Sequence, residues 1–243
     1  MEIKRESMEY DVVIVGAGPA GLAASIKLKQ LNPDLNVCIL EKGSEVGAHI
    51  LSGNVFETRS LDELIPDWQN KNAPIKTKVK KEKFLFLGKK SSLSWPTWLL
   101  PSVQKNHNNY IISLANLCRW LASQAEDLGV EIFPGFAASK IIYDEKNKVI
   151  GVQTGDMGID KNENNKDSFE PGLNILAKVT VFSEGCRGHL GKEVISKFKL
   201  DHNKSPQQYG IGFKEIWEIP EDQHDEGLVM HTTGWPLDNS TYG

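Results

Sequence analysis

The chain has 243 residues, 40% hydrophobic and 25% charged, with a net charge of −4. That length supports the core of one or two domains, and the balance is that of an ordinary globular protein. The net negative charge excludes a general pull towards nucleic acid. Three scattered cysteines without a CxxC exclude a zinc or iron–sulfur ligand set within these residues, and no apolar run approaches the ~18 residues of a spanning helix. The odd number of separated cysteines, Cys38, Cys118 and Cys186, fits a reducing compartment. Met1 to Tyr10 mix acids with bases and lack the apolar stretch of a signal peptide; residues 1–9 read as a flexible N-terminus.

The first element is the most informative. Val12 to Val15 are four consecutive apolar residues, as a central parallel strand requires. Gly16-Ala17-Gly18-Pro19-Ala20-Gly21 follows and opens a helix. In such a turn Gly16 permits the tight bend, Gly18 lets backbone approach a pyrophosphate, and Gly21 lets the helix lie close on the sheet. The helix then points its N–H groups and positive dipole end at the phosphates. Asn32 and Pro33 end it, Val37 to Leu40 form a second strand, and Glu41 stands at that strand's end. An acid placed there accepts hydrogen bonds from a ribose diol and disfavours a 2′-phosphate. The whole unit fits an adenine dinucleotide, FAD or NAD; the competing reading is a glycine turn in an ordinary βαβ unit.

Residues 42–75 form a loop-rich connection, with a short helix over Leu61 to Ile65. Gly47 to Gly53 is small and, apart from His49, uncharged, so its backbone can approach a ring system. His49 itself reads more simply as a hydrogen-bonded loop residue. Residues 76–90 carry seven lysines against Glu82, and Ser91 to Gln104 carry no charge but include Leu93, Trp95, Trp98, Leu99, Leu100 and Val103. Lysines beside a Trp/Leu-rich segment suit a membrane–water boundary. A buried loop beside a solvated basic strand accounts for the same residues.

Asn109 to Gly129 reads as a helix, with Leu114, Leu117, Leu121, Ala125 and Leu128 at spacings of three and four, and Val130 to Phe133 as the next strand. Ala138 to Tyr143 and Val149 to Thr154 form a hairpin around Asp144 to Asn147. Gly155 to Gly172 is polar and reads as a surface loop; Leu173 to Ala177 and Lys178 to Phe182 read as two further strands. The second of these runs into Ser183-Glu184-Gly185-Cys186-Arg187-Gly188 and a helix from His189 to Phe198. This second strand–glycine–helix junction can offer backbone N–H groups and an acid to the same cofactor. Cys186 there reads as a small residue in a tight turn rather than as a reactive thiolate. Tyr209 to Ile219 and Leu228 to Thr232 alternate like strands of a different sheet, and Thr241 to Gly243 carry no closing signal, so the chain reads as a fragment.

Several segments resemble the electron-transfer flavoprotein–ubiquinone oxidoreductase family. They are residues 41–53, 106–112, 129–138, 182–190, 210–215 and 231–237. The resemblance turns the choice to FAD and implies an α/β fold: an FAD-binding Rossmann-like domain of the glutathione-reductase type, a three-layer ββα arrangement, and the start of a second β-rich quinone or substrate domain. It implies domain limits of 10–205 and 206–243, with insertions at 76–108 (membrane-contacting) and 137–177 (a β-meander). It implies cofactor contacts from Gly16, Ala17, Gly18, Pro19, Ala20, Gly21, Glu41, Lys42, Gly47, Ser52, Gly53, Ala137, Ser183, Glu184 and Gly185. The implied activity passes electrons from reduced electron-transfer flavoprotein to ubiquinone, at the surface of a bacterial inner membrane on its cytoplasmic side, or of the mitochondrial inner membrane on its matrix side. A [4Fe–4S] cluster is implied for the complete protein, with ligands beyond Gly243. Two features depart from the wider class: Ser113 and Leu114 stand where an arginine is common, and Glu184 stands where Asp is common. Other flavoproteins of this architecture, such as geranylgeranyl reductase-like enzymes or aromatic hydroxylases, and a non-catalytic nucleotide-binding module remain as alternatives.

Overall fold

In the computed structural model, which describes residues 4–162 and 164–236, Val13 and Ile14 are wholly buried at the centre of a six-stranded sheet. In chain order the elements are β1 (Ser7–Val15), α1 (Pro19–Leu31), β2 (Val37–Glu41), β3 (Asn54–Phe56), α2 (Arg59–Leu64), β4 (Thr77–Lys78), β5 (Lys81–Leu87), β6 (Ser92–Trp95) and β7 (Tyr110–Ile112). Then follow α3 (Leu114–Asp127), β8 (Glu131–Pro134), β9 (Ala138–Tyr143), β10 (Val149–Thr154), β11 (Met157–Ile159), β12 (Asn165–Glu170), β13 (Asn174–Phe182), α4 (His189–Phe198) and β14 (Leu228–Gly234).

The described chain forms two compact units: residues 1–50 with 118–211, and residues 51–117 with 212–243. The sheet of the first unit runs β8-β2-β1-β13-β10-β9. Its first four strands are parallel. The register Val13↔Cys38, Val15↔Leu40 and Val15↔Phe182 puts these side chains on one face, since neighbours along a strand alternate. That face packs with Ile141, Val152, Ile175 and Leu190, drawing in the β9–β10 hairpin and α4. The opposite face meets α1, where Ile14 lies under Gly21. The result is the layered, Rossmann-like arrangement with a β-meander.

The second unit holds two small sheets, β14-β5-β6 and β3-β7-β4. Phe84 pairs with Trp95 and Phe86 with Leu93 across the β5–β6 hairpin, so the four share one face.

The structure departs from the sequence reading at six places. Residues 7–9 belong to β1, where Ser7 pairs with Asn174, so only part of the 1–9 segment lies before the fold; residues 1–3 fall outside the described residues. Residues 51–117 group with 212–243 rather than with the dinucleotide unit. The stretch before α3 is β7, because Tyr110 to Ile112 find partners on both β3 and β4. The polar stretch 155–172 contains the β11–β12 ribbon. Residues 174–182 are one strand, not two, because β1 pairs along their whole length. Residues 209–219 alternate correctly but form no regular strand, since among the described residues no strand pairs with them.

Candidate functional site

The strand order places β1 at a point of divergence. From β1 the chain moves outward to β2 and β8 on one side, and returns to β13 on the other. A crevice at the carboxyl ends of strands that diverge in this way is where open α/β sheets take their ligands. Here that position is occupied by the Gly16–Gly21 turn.

Each glycine of the turn has a distinct spatial reason. Gly16 has φ +105°, and a Cβ there would fall 2.7 Å from the Ser183 carbonyl oxygen. A Cβ on Gly21 would fall 2.1 Å from the Gly16 oxygen, so α1 lies at a distance only glycine allows. Gly18 differs: its φ is −78° and a Cβ there would meet nothing within 4 Å. Its side is open, as a close-approaching ligand needs. Gly18 is also the N-cap of α1 and supplies no side-chain bond, while Pro19 occupies the first turn. The first-turn N–H groups of Ala20 and Gly21 therefore have no capping side chain, and the positive end of the helix faces the crevice.

Glu41 is already fixed. One carboxylate oxygen accepts the Ala17 N–H at 2.9 Å and the other accepts the Gly43 N–H at 2.7 Å. A carboxylate has about four acceptor positions, so room remains for two hydroxyl donors. Gly43 was not singled out by sequence as part of the site; its signal is the spacing of two residues after the acid. Gly43 in turn accepts the Gly135 N–H through its carbonyl at 2.7 Å, tying the loop after β2 to the end of β8. Arg119 on α3 holds Glu45 of the same loop at 2.9 Å.

The second junction is joined to the first. Ser183 Oγ lies 2.9 Å from the Val15 carbonyl and 3.0 Å from that of Gly16, and donates its proton there. Glu184 turns both oxygens to the N-terminus of α4, accepting from His189 and Leu190 (2.9 and 3.1 Å) and from Gly191 (2.7 Å). Its carboxylate is thus spent on the helix, and what the junction presents is backbone around Gly185, which has φ +82° and open space at its Cβ position.

Of the remaining predicted residues, Lys42 and Ala137 are exposed in the first unit, and the Ala137 carbonyl accepts the Gly155 N–H at 2.9 Å. Gly47 is buried with φ +88°. Ser52 and Gly53 belong to the second unit, where Ser52 Oγ lies 2.6 Å from Ser113 Oγ. Ser113 Oγ also accepts the Asn116 N–H at 3.3 Å, at the start of α3. The thiols of Cys38 and Cys118 are buried and pushed up, to about 12 and about 11, by burial above all. They are packing residues. Among the described residues no group of His, Cys, Asp and Glu is suited to a metal ion, and no helix is long and apolar enough to cross a membrane.

Comparison with known proteins bears directly on this geometry. A family model described as "ETF-QO, ubiquinone-binding" matches residues 209–243, and one for the Thi4 family matches residues 1–63. The chain is 53% identical over its full length to the mitochondrial electron transfer flavoprotein-ubiquinone oxidoreductase of Arabidopsis thaliana, covering 38% of that protein. It is 53% identical over 99% of its length to the electron transfer flavoprotein-ubiquinone oxidoreductase of Pseudomonas aeruginosa, covering 45% of it. Among solved structures, a flavoprotein/dehydrogenase from Cytophaga hutchinsonii superposes with a TM-score of 0.52 at 19% identity, over 79% of this chain and 42% of that one, and so shares the fold. The sequence of this chain is accordingly similar, along practically its whole length, to a segment of the electron transfer flavoprotein-ubiquinone oxidoreductases, and it spans about two fifths of their length.

Proposed function

We propose that this chain is the FAD-holding segment of an enzyme that passes electrons from reduced electron-transfer flavoprotein to ubiquinone. The observation that carries the reading is the Gly16–Gly21 turn at the divergence of the sheet, with Glu41 anchored beside it. The names of the relatives support the donor and the acceptor, and the match of residues 209–243 to a ubiquinone-binding family model supports the quinone.

The residues present suit FAD. The open flank of Gly18 and the uncapped first turn of α1 would receive the pyrophosphate. Glu41 would accept the adenosine ribose hydroxyls with its remaining lone pairs. Lys42, Gly47 and Ala137 would line the adenosine side, and Ser183 with Gly185 the other half. Glu184 is then a positioning residue that sets α4. A flavin can exchange one electron or two, which suits a carrier that delivers singly to a quinone that needs a pair. The chain's own contribution is to bind and orient it. The [4Fe–4S] cluster implied by the resemblance has no ligand set among the described residues.

The segment Ser91 to Gln104 is the candidate membrane contact, consistent with a peripheral enzyme on the cytoplasmic or matrix face. Trp98 and Val103 are 74% and 90% exposed there, a poor use of apolar side chains in water.

The test is the visible spectrum of the purified chain, followed by chromatography of what heat releases. Yellow protein yielding FAD supports the reading. Colourless protein that binds only ADP reduces the chain to a nucleotide-binding module.

A further inference from the structure

A dinucleotide brings two negatively charged phosphates to the Gly16–Gly21 turn, and the first junction meets them with backbone alone. No lysine or arginine stands in that turn or in the first turn of α1; the basic residues of the helix, Lys27 and Lys29, lie towards its other end. The end of a helix supplies only about half a unit of positive charge, and Glu41 adds a negative one. Lys42, the next residue, is assigned to the adenosine side.

The second junction holds the cation that the first lacks. Ser183 abuts the turn: its Oγ donates to the Val15 and Gly16 carbonyls, and its own carbonyl oxygen would lie 2.7 Å from a Cβ on Gly16. Gly185 follows, with open space at its Cβ position. Arg187 comes two residues later and is exposed, its guanidinium carbon 4.8 Å from the centroid of the Tyr209 ring. A guanidinium over an aromatic face is held by the ring's negative potential, and its N–H fork stays available to an oxyanion. Among the described residues Arg187 forms no ion pair. Glu184, three residues before it, spends both oxygens on the start of α4. Tyr209 belongs to the same compact unit, so the cation is fixed within the body that carries the turn.

We propose that Arg187 is a further cofactor-binding residue: its guanidinium donates to the diphosphate of FAD, and Tyr209 is the positioning residue that holds it there. The proposal rests on the FAD reading of the site and adds the charge that balances the ligand. An arginine suits a phosphate because two parallel N–H groups meet two oxygens, and a bond between ions exceeds one from a neutral donor. Such a contact at an exposed side chain weakens as salt is raised, whereas the backbone contacts of the turn depend on salt far less.

The experiment is titration calorimetry of FAD into the purified, flavin-stripped chain at low and at high salt, with a thermal melt of each variant without flavin. Arg187→Gln should weaken FAD binding by about tenfold at low salt and flatten its salt dependence, with the melt unchanged. Arg187→Lys should recover part of the affinity and the salt dependence. Tyr209→Leu should weaken binding in the same way, while Tyr209→Phe, which keeps the ring, should match the parent. A parent that binds FAD beside an Arg187→Gln variant of equal affinity overturns the proposal and leaves the FAD reading standing. So does a weakened Arg187→Gln that keeps the parent's salt dependence and melts earlier, because the residue then serves the fold. Failure of the parent to bind FAD at either salt concentration overturns the FAD reading and the proposal with it.

Discussion

The carboxylate of Glu41 reaches back from the end of β2 to accept the Ala17 N–H, inside the very turn it is proposed to serve. One side chain therefore fixes the turn and faces the ribose. Glu41→Ala removes two backbone hydrogen bonds and the ribose acceptor together. A hydrogen bond to a charged group contributes about 1.5–3 kcal/mol, so FAD affinity should fall by at least about tenfold. Flavin content after gel filtration, and titration calorimetry with FAD, measure this directly. Parent-like content in the variant would detach Glu41 from the site.

Gly18 and Gly21 should behave as opposites. Gly21→Ala forces a methyl group to within 2.1 Å of the Gly16 oxygen, so α1 must lift from the sheet. Overpacking of this kind costs roughly 1–3 kcal/mol, which in a chain of this size lowers Tm by about 2–4 °C for each kcal/mol. Gly18→Val finds open space, so the fold should keep its Tm while the branched side chain obstructs the pyrophosphate. Thermal melts and flavin content, measured together, separate the two. Equal loss of Tm in both variants would mean that Gly18 serves packing and not a ligand.

The first βαβ unit could be read directly because its signals are local. An apolar tetrad, three glycines, Asn32 and a terminal acid each sit within the element they define. The contacts that lock the site could not be read so. Ser183 bonds to carbonyls 167 and 168 residues earlier, and Lys29, a helix lysine, is buried with its ammonium on the Pro33 and Leu35 carbonyls. No pattern in one sequence announces such partners. Tyr209 to Ile219 shows the converse. Its alternation is that of a strand, yet Ile211 and Phe213 are 86% and 96% exposed. Periodicity fixes which side of a strand is apolar; pairing decides whether the strand exists. Glu184 was legible as an acid at a glycine junction, but its use could be known only once α4 was in place.

Glu184 now has a sharper expectation. Its carboxylate accepts three N–H groups at the start of α4, and Gly188 must be glycine because a Cβ there would fall 2.8 Å from Glu184 Cβ. Glu184→Ala leaves those donors to water and removes a negative charge from the positive end of the helix, at a cost of about 1–2 kcal/mol. Leu190, wholly buried in the first turn, should loosen with it. Hydrogen exchange at 189–191 should accelerate, while the FAD content stays near that of the parent. If FAD is lost and exchange is unchanged, the acid acts on the cofactor after all.

Asp156 gives the fold an acid-sensitive clamp. Arg5, two residues before β1, pairs with its carboxylate, which also accepts the Gly172 N–H at 2.7 Å. The bond from Arg5, then that from Gly172, hold the carboxyl at about 2, below its ordinary 3.8. A carboxylate lowered on folding stabilises the folded state above the ordinary value, and that stabilisation drains away as pH falls towards the lowered one. The window is therefore about 3.8 down to about 2. Urea midpoints of the parent should fall through this range, and Asp156→Asn should fall less steeply from a lower starting stability at neutral pH. Arg5→Met should likewise flatten the profile, because it removes the main cause of the shift. Profiles of equal slope in parent and Asp156→Asn would show that the clamp contributes nothing to acid stability.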